Sequence, residues 1–233
     1  MNCSVSRNNH SLRILVIALV LMMLASVLPI SCALGESDEP DEVFTMDDVL
    51  IYLDGDDGCG ELVPLHTVTS VGRENVKLHG VKSKNKLKEY TIPDELLMAD
   101  SNFAALMMEA DKYIGYPYVY GASNPRDGFD CSGFVCWVFI HSGVYNTGRR
   151  GATGLHTMCE EVDPEDIRPG DLVFFHGTMG PDVKGITHVG IYVGNHMMIH
   201  AGDPVGFADL DEEKWQKRID CYGRLPFEEE LNE

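Results

Sequence analysis

The stretch "GFDCSGFVCWVF", residues 128–139, sets a cysteine between an aspartate and a Ser-Gly pair, directly ahead of an apolar run. Free cysteines are commonly small buried hydrophobes, so Cys131 by itself indicates packing as readily as reactivity. Its neighbours shift that balance. Asp130 ends a turn-rich loop, "YPYVYGASNPRDGFD", and the apolar stretch from Gly133 to Ile140 is long enough for a buried helix. Cys131 is therefore expected at a helix N-terminus, where unpaired backbone N–H groups and the helix dipole favour a thiolate. The same N–H groups would stabilise an oxyanion formed on a carbonyl that the thiolate attacks.

Partners for such a thiol lie downstream. "RPGDLVFF" (168–175) reads as a turn and a strand, and "THVGIYVGNHMMIHAG" (187–202) reads as a hairpin carrying His188 and His200. The loop length decides whether those histidines meet. A two-residue Asn195-His196 loop pairs Gly194 with Met197 and puts them on opposite faces. A three-residue loop, Gly194 to His196, pairs Val193 with Met197 and Gly190 with His200, which brings His188 diagonally across from His200 on one face. Proton-transfer chemistry favours this second register, with His196 in a left-handed conformation. His188 would then take a proton from Cys131, and His200 would hold the tautomer of His188.

The remainder of the chain limits the context. Its 233 residues carry a formal net charge of −19, which excludes a nucleic-acid binder relying on a basic face. Arg7 and Arg13 precede an unbroken apolar stretch, Ile14 to Ile30, followed by Ser31-Cys32-Ala33 and an acidic linker. This pattern predicts a secretory signal over residues 1–33 with cleavage after Ala33. The stretch also approaches the about 20 residues that span a bilayer, so an uncleaved membrane anchor is the alternative. Export would leave five cysteines, Cys59, Cys131, Cys136, Cys159 and Cys221. That odd number keeps at least one thiol unpaired.

Residues 34–98 are read as an acidic linker and a β-rich extracytoplasmic segment, from "VLIYL", "LVPLHTVTSV", "NVKLHGV" and "EYTI". The "DGDDG" turn within it fails the EF-hand calcium pattern. In "PDELLMADSNFAALMMEADKYIGYP" (93–117) the apolar period changes to three and four residues, predicting a helix capped by Ser101 and stopped by Gly115. A zinc site built from Cys131, His188 and His200 is chemically feasible, but no spacing matches a known metallohydrolase motif. No cofactor and no metal is expected.

"YPYVYGA", "FDCSG", "RPGDLVFF", "HVGIYVGN" and the following "MIHA" occur in the order and spacing of the NlpC/P60 cysteine peptidases, which the chain resembles from about Asn102 to Pro226. The resemblance implies a papain-like α+β fold: a central antiparallel sheet with the catalytic cysteine at a helix N-terminus, here over residues 99–227, followed by an acidic tail at 228–233. It implies Cys131 as nucleophile, His188 as base and His200 as the orienting third residue. Tyr118, Asp130 and Ser132 are implied to bind the peptide near its free amine.

The implied activity is a peptidoglycan endopeptidase that cuts stem peptides between γ-D-glutamate and the diamino acid, outside the cytoplasmic membrane. "CYGRLP" and "YLDGDDG" more loosely resemble peptidases of conjugative elements in Gram-positive bacteria, which implies conjugation machinery as a partner. Two departures stand out. The family's Arg-Thr/Ser pair and glutamine are replaced by "GRRGATGLH" (148–156), in which Arg149 and Arg150 are candidates to meet a substrate carboxylate. The loop "HGTMGPDVKGIT" (176–187) is long and glycine-rich. The reading from a different functional class is a catalytically silent wall-binding or scaffold module of the same fold. An acyltransferase is a third reading, without an apolar lid to support it.

Overall fold

The computed structural model describes strand residues 50–53 and 61–64 and residues 67–226 apart from residue 181. The expected signal, the start of the acidic linker, the "DGDDG" turn, Cys59 and the acidic tail lie outside the described residues.

Strands β1 (Leu50–Leu53) and β2 (Glu61–Pro64) pair antiparallel, as do the short β3 (Lys77–Leu78) and β4 (Val81–Lys82). Helix α1 (Asp94–Ala99) and helix α2 (Ser101–Asp111) follow. The single helix expected from Ser101 is thus preceded by a short one, and Asp100, not Ser101, caps it. The Asp100 carboxylate accepts the N–H groups of Asn102 and Phe103, which leaves Ser101 as the first helical residue.

After the small pair β5 (Ser123–Asn124) and β6 (Gly128–Phe129) comes helix α3 (Cys131–His141), the centre of the molecule. Cys131 to Cys136, Val138 and Phe139 are all buried, so the helix is enclosed by protein up to its last turn, where Ile140 and His141 are exposed. Gly133 permits the approach of the preceding loop: a Cβ there would sit 2.3 Å from the Ala122 carbonyl oxygen. Helix α4 (Ala152–Met158) leads into the sheet.

That sheet has six antiparallel strands in the order β11-β10-β9-β8-β12-β7. They are β7 (Glu160–Val162), β8 (Leu172–His176), β9 (Ile186–Gly194), β10 (Met197–Ala201), β11 (Val205–Asp209) and β12 (Ile219–Arg224), with the short helix α5 (Glu213–Gln216) between the last two. Strand alternation divides the apolar residues between two faces. Leu172, Phe174, Val189, Ile191 and Ile199 pack with α2 and α3. Val173, Phe175, Tyr192, Met198 and Ala208 form a second cluster with Trp215 of α5 against it. This is the expected α+β arrangement, with the cysteine at the first turn of the central helix.

Val68, Ile92 and Leu97 join the same core as α3, and Lys88 bridges Asp209 and Glu212 at 3.1 Å each. Residues 67–92 are therefore packed into the sheet's surroundings as one body with it.

Candidate active site

Asp130 has an extended backbone and caps α3 through its side chain, accepting the Gly133 N–H at 2.6 Å. The same oxygen accepts the Ser132 hydroxyl at 2.9 Å. Its second oxygen takes the Gly121 N–H at 3.1 Å and the Arg149 guanidinium at 2.7 Å. Four donors saturate the carboxylate. Asp130 thereby ties the 117–123 loop, the helix and the arginine segment together around Cys131. Arg149 also donates to the Ser132 hydroxyl at 3.1 Å, so Asp130 and Ser132, two of the three residues implied to bind substrate, form one network with it.

Cys131 is 7 % exposed. Its sulfur accepts backbone N–H groups from Val189, Ser132 and Cys131 itself, which places it beside the residue that follows His188. Burial, reinforced by the Asp130 carboxylate, pushes the thiol up to about 11. The helix terminus acts in the expected direction but is outweighed, so the resting group is a thiol and not the thiolate that placement alone implied.

The hairpin resolves the loop question in an unforeseen way. Asn195 and His196 both have positive φ, 51° and 56°, and form a two-residue loop that pairs Gly194 with Met197. The three-residue loop expected from chemistry is therefore absent, although the left-handed His196 it required is present. The register then shifts: Tyr192 faces Met198 and Ile191 faces Ile199, leaving Val193 as an extra residue on β9. Such a bulge moves one strand by a residue relative to its partner, which reverses the faces. His188 Nε2 consequently lies 2.7 Å from His200 Nδ1. Gly190 makes room for this approach, since a Cβ there would be 3.2 Å from His200 Cβ and 2.7 Å from Met198 Sδ.

Both imidazoles are buried. Desolvation lowers His188 to about 4 against the opposing pull of Asp130. His200 is also held well below the ordinary histidine value, by burial first and then by His188 and Lys214. The pair is neutral at pH 7, one ring donating to the other.

Cys131, Asp130, Ser132 and Tyr118 line a cleft of about 510 Å³, with Arg149, Arg150 and Thr153 on one rim and Met179, Val183 and Ile186 from the glycine-rich loop on another. Burial, then the neighbouring Cys131 and Asp130, raise the Tyr118 phenol to about 12, so it enters the cleft as a protonated donor. Two residues with roles here carried no motif. Cys136, one and a half turns along α3, accepts the Arg150 N–H at 3.4 Å and reaches the Arg150 carbonyl at 3.6 Å, pinning the arginine segment. Trp215 stacks on His188 from α5. The Cys136 contact was hidden in the helix's apolar run, and nothing in the sequence around Trp215 pointed to the site.

Comparison with known proteins covers this region. Residues 115–224 match the model of the NlpC/P60 family. The bifunctional muramidase/DL-endopeptidase CwlT of Bacillus subtilis is 42% identical over 124 residues, 53% of this chain and 36% of that protein. The gamma-DL-glutamyl hydrolase of the same organism is 33% identical over 201 residues, 80% of this chain and 46% of that protein. The chain thus spans less than half the length of either relative. A crystal structure of a Staphylococcus aureus NLP/P60 family protein, described as similar to lipoprotein, superposes with a TM-score of 0.51 at 37% identity, over 54% of this chain and 42% of that one. By sequence and by fold, residues 115–224, which hold Cys131, His188 and His200, form an NlpC/P60 family domain.

Proposed function

We propose that the protein is a cysteine endopeptidase of the bacterial cell surface that hydrolyses peptidoglycan stem peptides at the bond following γ-D-glutamate. The observation that carries this reading is the hydrogen-bonded His188–His200 pair on the hairpin whose Val189 adjoins Cys131, a thiol at a helix N-terminus that lines an open cleft. Relatives named as a DL-endopeptidase and a gamma-DL-glutamyl hydrolase support the substrate class. Attachment through the apolar stretch 14–30 and association with conjugation machinery rest on the sequence alone.

His188 donates its Nε2 proton to His200 Nδ1, which leaves Nδ1 of His188 free to accept the thiol proton. Because the thiol and the imidazole both rest neutral, proton transfer accompanies attack and does not precede it. The sulfur bonds to the scissile carbonyl carbon while its proton passes to His188. The N–H groups at the start of α3 meet the developing oxyanion. The imidazolium then protonates the leaving amine as the C–N bond breaks. Water, deprotonated by His188, hydrolyses the thioester and restores the thiol.

Tyr118, Asp130 and Ser132 form the subsite for the peptide's free amine. Since Arg149 already occupies one Asp130 oxygen, an incoming ammonium competes with that guanidinium and frees it for a substrate carboxylate. The test is mass spectrometry of purified muropeptides digested with the protein. Release of fragments ending in γ-D-glutamate is expected, whereas binding without cleavage would replace the enzyme with a silent wall-binding module.

A further inference from the structure

Trp215 lies outside every motif and packs against the histidine pair. Its ring centroid is 5.7 Å from that of His188 with an interplanar angle of 21°, a stacked contact. The same indole meets His200 edge-on at 5.1 Å and 89°, and Phe175 at 5.0 Å. One side chain of a four-residue helix thus touches both members of the pair. Among the described residues its ring contacts are with the histidine pair, Phe175 and Lys214.

The indole is also costly where it sits. Its Nε1 is buried with no hydrogen-bond partner among the described residues. A leucine would leave no such donor, whereas the indole presents a flat face to an imidazole. An aromatic face carries negative electrostatic potential and attracts a cation held over it, most strongly for tryptophan. Lys214 already uses that property, with Nζ 5.4 Å from the Trp215 ring.

We infer that Trp215 is a positioning residue of the hydrolytic site, whose indole face backs the His188–His200 pair and stabilises the imidazolium formed at His188 when the thiol proton arrives. This inference rests on the proposed cysteine endopeptidase reading. The charged and titratable groups around the pair are few. Asp130 acts on His188 from the start of α3, and Lys214 acts on His200 from α5. Only Asp130 among them favours a positive His188, and it is already paired with Arg149. The indole adds attraction for the cation without adding net charge, which keeps the resting imidazole neutral and lowers the barrier to its protonation.

The test replaces Trp215 site-specifically with mono-, di- and trifluorinated tryptophan, which weakens the ring's potential while conserving shape. Two readouts are taken. In the full chain, muropeptide hydrolysis is followed for kcat and KM separately. In Cys131→Ala, the protonation of His188 is titrated by NMR. The expected result is a stepwise fall in kcat, reaching about tenfold for the trifluorinated ring, at unchanged KM, with the His188 titration moving to lower pH at each step. Trp215→Phe should keep most activity and Trp215→Leu should not. A flat His188 titration across the series overturns the inference, as does equal activity of the Phe and Leu variants. An inactive unmodified protein would defeat the endopeptidase reading instead, while the titration still decides the ring's effect.

Discussion

His188 Nε2 and His200 Nδ1 lie 2.7 Å apart although a two-residue loop joins their strands, because Val193 is bulged out of the β9–β10 ladder. The bulge brings the two residues into hydrogen-bond contact, and the proposed roles of the pair predict an order of damage. His188→Ala should abolish muropeptide hydrolysis as completely as loss of the nucleophile, since His188 is the proposed base and its chain neighbour Val189 adjoins the thiol. His200→Asn should cost least, because an amide oxygen still accepts the His188 N–H and holds its tautomer. His200→Ala should fall between them. Steady-state kinetics of the three variants checks the order, and His200→Ala with full activity would remove the orienting role.

Cys131→Ala should lower turnover by ~10³-fold or more while the fold survives, since the covalent route is lost. Cys136→Ala is a different experiment on the same helix. Its sulfur holds Arg150 by backbone contacts, so its loss should raise KM more than it lowers kcat. Near-native turnover in Cys131→Ala would sink the peptidase reading.

The depressed His188 value sets a pH dependence whose sign is definite. A free imidazole titrates near 6.5 in the unfolded chain, whereas His188 titrates at about 4 in the folded one. Between these values the unfolded state binds a proton that the folded state refuses. Stability is therefore complete above about pH 6.5 and is lost progressively down to about pH 4, by about 3 kcal/mol for this group. His200 acts in the same direction. Urea unfolding at about pH 7 and pH 4.5 should show a drop that His188→Gln partly removes; an identical drop in that variant would refute the assignment. The acid limb of kcat/KM should likewise lie near His188's value of about 4.

Asp130→Asn tests the network around the cysteine. An amide can still accept at one position, but it loses the ion pair to Arg149 and presents an N–H toward existing donors. Loss of a charged cap costs about 1 kcal/mol or more of stability. The thiol should also titrate lower, because the Asp130 carboxylate is one of the two causes that raise it. Iodoacetamide labelling of Cys131 as a function of pH reads that shift, and an unchanged or higher titration would show that burial alone holds the thiol neutral.

Local sequence was enough to place the start of α3. Asp130 followed by Cys131-Ser132-Gly133 and an apolar run specifies a capped, buried helix, and Gly133 is required by a contact only 2.3 Å from the Ala122 carbonyl. The strand "LVFF" and the hairpin "HVGIYVGN" with "MIHA" were equally legible from alternation and turn residues. The bulge was not. Its two candidate registers differ by a single residue, and the choice depends on which faces the neighbouring strand and the central helix can bury.

The protonation state of Cys131 was beyond local sequence for a related reason. The helix terminus is a local feature, whereas the burial and the Asp130 charge that outweigh it come from the assembled structure. Arg149 and Trp215 belong to the same category. Sequence by itself determined the NlpC/P60 resemblance, the helix that carries the thiol and the hairpin that carries His188 and His200, because each is written in residues close along the chain. Tertiary structure alone decided that the histidines share a face, that Arg149 occupies Asp130 and that an indole backs the pair, because those contacts join residues from separate elements and depend on packing that no local pattern encodes.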